Sequence, residues 1–202
     1  MVRRNGQTAL PRTSVLIRYA DDFVCAFQYR KGAYRFFKAL PQRLRKHHLE
    51  LAPEKSGVVR FSRFHPGLQR RFTFLSFEFY WNLDYRGDPR VMKRTARRRL
   101  QRAKRRMNEW IRSNRHLKGR YFIRALNRKL VGHYNYYGIR SNERSVYNFF
   151  QFTVECAYKW LNRRGGKKRS FNWSQFNVAL KKLCIARPPP RVTEKPVHTV
   201  FA

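Results

Sequence analysis

Acidic residues are what this chain most lacks. Asp and Glu together number 11 among 202 residues, against 47 Lys and Arg, for a net charge of +36. So few carboxylates cannot neutralise so many cations from within. The balance has to come from outside, and a polyphosphate backbone is the obvious source. An anionic membrane surface is the rival. Long apolar runs are also missing. None approaches the roughly 20 residues that span a bilayer, and the first residues lack the apolar core of a signal peptide. Only three cysteines occur, Cys25, Cys156 and Cys184, far apart and without a C-x-x-C pair. An odd count with apolar neighbours reads as reduced, packed thiols in a cytosolic protein. The six histidines show no zinc-ligand spacing, and His47-His48 reads as a helix end.

What is present argues against a disordered basic tail. Hydrophobic residues make up 42% and aromatics 16%. The length suits one domain or two small ones with a real core. The most informative stretch runs from Val15 to Phe27. Val15, Ile17 and Tyr19 alternate with Leu16, Arg18 and Ala20, the period of a strand, and a second apolar run follows. Asp tolerates left-handed turn geometry, so Ala20-Asp21-Asp22 can close a β-hairpin without glycine. The hairpin lifts two adjacent carboxylates to its tip. Side by side they repel, and a bound cation relieves the repulsion; carboxylate oxygens are what Mg²⁺ prefers. The plainer reading is that Asp sits there because it suits turns.

Tyr19-Ala20-Asp21-Asp22-Phe23 between two apolar strands resembles the catalytic motif of reverse transcriptases, in the form found in group II intron-encoded reverse transcriptase/maturases. The resemblance implies Asp21 and Asp22 as catalytic metal ligands of a two-Mg²⁺ site that transfers phosphoryl groups. After the hairpin, Gly32 opens a helical pattern through Phe36, Phe37, Leu40 and Leu44, which Pro41 is expected to kink or split. Residues 49–51 and 58–61 read as short strands around a turn at 52–56. Together these make the second half of a split β-α-β sheet, which in the family is the palm. Lys55 resembles the family's Pro-Glu-Lys-Thr-like position near the leaving pyrophosphate, and reads equally as a solvated turn lysine. Phe74-Leu75-Ser76-Phe77 resembles the Phe-Leu-Gly-Phe segment that supports the primer end, with Ser76 where Gly is usual.

Residues 90–120 are the most basic stretch, with 14 Arg or Lys against Glu109 alone. Met92, Ala96, Leu100, Ala103, Met107 and Ile111 recur at helical spacing. The rest of that surface carries Arg94, Arg97, Arg98, Arg102, Arg105 and Arg106, as expected of a helix that binds RNA. Its place after the palm resembles the start of the family's thumb, or maturase domain. Helical periodicity returns over 119–137, 149–161 and 173–183. Leu130 to Gly138, with Asn135-Tyr136-Tyr137, resembles the family's maturase segment. Tyr134, Tyr136 and Tyr137 cannot all face one core, so Tyr136 is expected to face RNA. Arg163, Arg164, Lys167 and Lys168 flank a diglycine in a basic loop suited to a curved phosphate backbone.

The expected architecture is therefore α+β: a basic tail over 1–13, a partial palm over 14–88, an all-α thumb/maturase domain over 89–186 and a Pro-rich extended tail over 187–202. The resemblance implies RNA-directed DNA polymerisation and help in splicing. Its partners would be a group II intron RNA and a DNA primer or target, with no membrane, in the cytoplasm at the nucleoid. The family's fingers and first palm strand, which carries a further metal-binding Asp, would precede residue 1, so a separate fingers-palm polypeptide is an expected partner. A non-enzymatic maturase-type RNA-binding protein, or an inactive remnant, is the alternative.

Overall fold

The computed structural model describes residues 14–64, 70–163 and 171–190. Among the described residues the fold is mixed α+β, with two small antiparallel sheets and five helices. The chain divides into two compact units, Met1–Val91 and Met92–Ala202.

In the first unit, β1 (Ser14–Tyr19) and β2 (Asp22–Phe27) form an antiparallel hairpin, with Tyr19 opposite Asp22 and Ser14 opposite Phe27. Helix α1 (Arg30–Arg45) lies against β2 through the Phe27 and Phe36 rings, 5.3 Å apart. Pro41 does not split it, and one helix runs through it. Proline removes one backbone hydrogen bond, and here Pro41 joins Phe37, Leu40 and Leu44 on the half-buried side. The helix ends at Lys46, and His48 turns the chain away with φ of 55°. The strands expected at 49–51 and 58–61 are not formed. Those residues are irregular around a 3-10 turn at Pro53–Lys55. Phe61 instead packs its ring edge-on to Phe72 at 5.0 Å and beside Trp81 at 5.5 Å. Side-chain packing, not a backbone ladder, uses its hydrophobicity.

A second hairpin joins β3 (Phe72–Phe74) and β4 (Phe77–Leu83), with Phe72 stacked on Phe79 across the strands. The third strand, β5 (Pro89–Thr95), runs across the division between the units. This corrects the expectation of one helix from about residue 90. Met92 and Arg94 lie on a strand, and the helix starts only at Arg97. Among the described residues of the first unit, only Phe77 is buried.

The second unit has a full core. Helices α2 (Arg97–Asn114), α3 (Gly119–Tyr137), α4 (Glu143–Asn162) and α5 (Trp173–Lys182) enclose Ile111, Phe122, Leu126, Leu130, Phe149 and Phe176. Each helix contributes a stripe at three- and four-residue spacing, the condition for burying one face. Helix α4 begins well before the expected Phe149, and Asn142 and Val146 in this added stretch are buried. Gly138 closes α3. A Cβ there would lie 2.4 Å from the Tyr134 carbonyl oxygen, so only glycine fits. Asn127 holds the chain after α5 at both ends of its amide: its Nδ2 donates to Cys184 O and its Oδ1 accepts from Ala186 N. Cys156 is buried, but Cys184 is exposed at φ of 52°, so it is not the packed thiol its neighbours led one to expect.

His133 on α3 stacks on Phe149, with centroids 3.8 Å apart, and lies 4.6 Å from Tyr137. Its buried Nε2 has no hydrogen-bond partner. Burial pulls its pKa from 6.5 down to about 4. Above about pH 6.5 the ring is neutral both folded and unfolded. As pH falls towards 4 the unfolded chain takes a proton that the folded chain refuses, so stability is lost through that window and levels off below it. Allowing for the part-exposed ring, the expected loss is about 2 kcal/mol, at about 1.4 kcal/mol per pKa unit. Urea melts at pH 7.5 and 4.5 should show it, and His133→Phe should flatten the profile. An unchanged slope in that variant would place the proton elsewhere.

Candidate catalytic hairpin and nucleic-acid surface

The β1–β2 hairpin brings its two carboxylates to the tip by a two-residue loop, Ala20-Asp21, with Asp22 as the first residue of β2. The left-handed position falls on Ala20, with φ of 52°, and not on either Asp. A non-glycine residue there costs about 1–2 kcal/mol. Arg18 supports the loop by donating from Nε to the Ala20 carbonyl at 2.8 Å. Both Asp21 and Asp22 are exposed. Behind them β1 is uncovered on both faces. Val15 is 60% exposed, Ile17 56%, Tyr19 66% and Leu16, facing the other way, 49%. An apolar strand exposed on two faces is rare in a chain that works alone.

The donor set suits Mg²⁺ in kind, since both side chains offer hard oxygens. It falls short in number. No third His, Cys, Asp or Glu joins the pair among the described residues. Glu78 is instead held by Arg71, Nη1 to Oε2 at 3.6 Å. Glu54 lies in the 3-10 turn beside Lys55, which is exposed. The described residues do not complete a two-ion site.

Phe74 and Phe77 face each other across the tight turn of the second hairpin, with Leu75 at φ of 48° and Ser76 at 69°. Two positive φ values in a two-residue loop are the demand of a primed hairpin turn, which Gly meets at least cost. Ser76→Gly is expected to stabilise this hairpin by about 1 kcal/mol. Amide exchange over residues 72–83 should slow by about fivefold; faster exchange would mean that Ser76 holds the turn by its side chain.

The cations of the second unit are spread over its helices. Arg97, Arg98, Arg102, Arg105 and Arg106 are exposed on α2, opposite the stripe that buries Met107 and Ile111. Arg94 is half-buried and lies on β5, not on α2. Tyr134 is buried and donates its hydroxyl to the Ala186 carbonyl at 3.1 Å, while burial raises its pKa. Tyr136 is 51% exposed, with its ring edge-on to Tyr137. Arg163 is exposed at the end of α4; Arg164, Lys167 and Lys168 lie outside the described residues.

Sequence reasoning missed a cluster centred on Trp160. Arg112, Arg115, Lys159 and Arg163 all place their charged ends 5.3–5.6 Å from its ring centre. Basic residues in the last turns of two helices are visible in the sequence, but not their convergence on one ring. No helix among the described residues is long and apolar enough to cross a membrane. The chain matches no known family model, and no curated protein matches it significantly.

Proposed function

We propose that this chain is the C-terminal part of a group II intron-type reverse transcriptase/maturase, joining half of a polymerase palm to an RNA-binding thumb/maturase domain. The observation that carries the reading is the hairpin: adjacent carboxylates at its tip, on an apolar β1 strand exposed on both faces. A first palm strand, supplied with the fingers, would cover those faces and bring the further Asp. Asp21 and Asp22 would then hold Mg²⁺, which in such sites activates the attacking oxygen and stabilises the leaving one. Lys55 would lie near the leaving pyrophosphate and Phe74 to Phe77 near the primer end. Arg97, Arg98, Arg102, Arg105, Arg106 and Tyr136 would meet intron RNA. The +36 charge fits such a partner.

That the helical unit is well packed while the first unit is poorly buried also favours a second reading, a maturase-type RNA-binding protein without polymerase activity. Primer extension on an RNA template separates the two. The chain and the polypeptide encoded upstream of it, or the matching piece of an intron reverse transcriptase, should extend a DNA primer together and not singly. RNA binding without extension in the mixture would leave the second reading.

A further inference from the structure

The Trp160 cluster is a built arrangement. Trp160 stands near the end of α4, and its Nε1 donates to Asn108 Oδ1 on α2 at 2.8 Å, which fixes the indole across the two helices. Around that fixed ring lie Arg112 and Arg115 from the end of α2, at 5.6 and 5.5 Å. Lys159 and Arg163 from the end of α4 lie at 5.4 and 5.3 Å. All four sit within one short radius of a common centre, so no two charges can be more than about 11 Å apart, close to the Debye length of about 10 Å at 0.1 M salt. They therefore repel with only partial screening. Among the described residues none of the four forms an ion pair. Glu109 and Glu155, each one turn earlier on its own helix, are the nearest acids in sequence.

Cations do favour helix C-termini, which accounts for a basic last turn on each helix. That effect acts on each helix separately and gives no reason for both sets to converge on one indole. Attraction to the ring face explains why they can gather, and leaves their mutual repulsion unanswered. An anion placed among them answers it. Three of the four are guanidinium groups, whose planar forks match phosphate oxygens in pairs.

We propose that the adjoining C-terminal ends of α2 and α4, gathered on Trp160, bind adjacent phosphodiesters of an RNA strand, about three for the four cations. The proposal rests on the RNA-binding reading above and names its phosphate site. Of these residues only Arg163 is foreseen from the sequence. Arg112 and Arg115 lie beyond the Arg97–Arg106 set, towards the C-terminal end of α2.

The test uses the full chain and a 20-nucleotide single-stranded RNA, with affinity measured by fluorescence anisotropy across a salt series. One variant carries Arg112→Gln, Arg115→Gln, Lys159→Gln and Arg163→Gln. A control removes the same charge from α1 through Arg35→Gln, Lys38→Gln, Arg43→Gln and Arg45→Gln. The cluster variant should lose about tenfold or more in affinity. Its slope of log affinity against log salt should fall by about two, at about 0.7 per phosphate contact on a single strand. The control should change the slope by less than one such contact. Trp160→Leu, which keeps every charge and removes the ring that gathers them, should weaken binding several-fold. Equal behaviour of the cluster variant and the control would overturn the site while leaving RNA binding intact. Should the cluster variant not fold, Trp160→Leu alone decides, and undiminished affinity there overturns the site. Tripolyphosphate supplies an independent reading: it should raise the melting temperature of the unaltered chain and do so less for Trp160→Leu. No RNA binding by the unaltered chain would sink the RNA reading, and this site as an RNA site with it; a surviving tripolyphosphate effect would then mark a site for some other phosphate.

Discussion

Asn142→Ala should cost the helical unit about 3 kcal/mol, the largest loss of stability expected from any single polar side chain here. The Asn142 side chain is fully buried at the start of α4. Its Oδ1 accepts from the Thr95 backbone N–H at 2.7 Å and also faces the Thr95 hydroxyl at 3.2 Å. Its Nδ2 donates to Thr95 Oγ1 at 2.9 Å and to the Tyr137 carbonyl at 2.8 Å. One amide thus ties the end of β5, the end of α3 and the start of α4 together. Truncation leaves several polar groups without partners where water does not reach, and each such group costs about 1–3 kcal/mol. For a unit of this size the melting temperature should fall by roughly 10 °C or more. Thr95→Ala removes one side of the network. In the double variant the two losses should add to less than their sum, as they do for residues that share partners. A shift under about 1 kcal/mol for Asn142→Ala would mean that solvent enters this corner.

That network also marks where sequence reasoning stops. Asn142 stands in Arg140-Ser141-Asn142-Glu143-Arg144, a polar run with the composition of a loop, and its partner Thr95 lies 47 residues earlier. No local period carries such a contact. Helix α3 was legible because Ile123, Leu126, Leu130 and Tyr134 repeat on one face, and the repeat alone locates Gly119–Tyr137. The hairpin was legible for the same reason at period two. The strand β5 was not. Met92, Ala96 and Leu100 fall at helical spacing, so the pattern ran across a real boundary. Tertiary pairing with β4 set the backbone there, and local period did not. Phe61 misled in the opposite sense: its hydrophobic run suggested a strand, while its ring serves an aromatic cluster from an irregular segment. At the site, the sequence pointed to the two carboxylates. It could not show that Ala20 takes the left-handed position or how bare β1 is, because both depend on what does and does not pack around the hairpin.

In the mixture of this chain with a fingers-palm polypeptide, Asp21→Ala is expected to lower primer extension by about a thousandfold or more. In the proposed reading Asp21 would be a ligand of the ions that stabilise the transferring phosphoryl group; losing it would forfeit several kcal/mol, and each 1.4 kcal/mol is about tenfold in rate. The isolated chain should not extend a primer at all. Adjacent residues on one hairpin approach a cation from one side, whereas Mg²⁺ requires near-octahedral oxygens, and no third metal-binding side chain joins Asp21 and Asp22 among the described residues. Asp22→Asn is the informative companion. It keeps the size of the first residue of β2 and its pairing with Tyr19, so a comparable loss there isolates charge from fold. Both variants should still bind RNA as the unaltered chain does, since neither carboxylate belongs to the helical unit. Robust extension by these 202 residues alone would overturn the split-palm reading. It would require a third carboxylate to reach the hairpin tip, and Glu54→Gln and Glu78→Gln would be the variants to separate the candidates. Glu78 would then have to leave its 3.6 Å contact with Arg71, so Arg71→Ala should raise activity if Glu78 is the one.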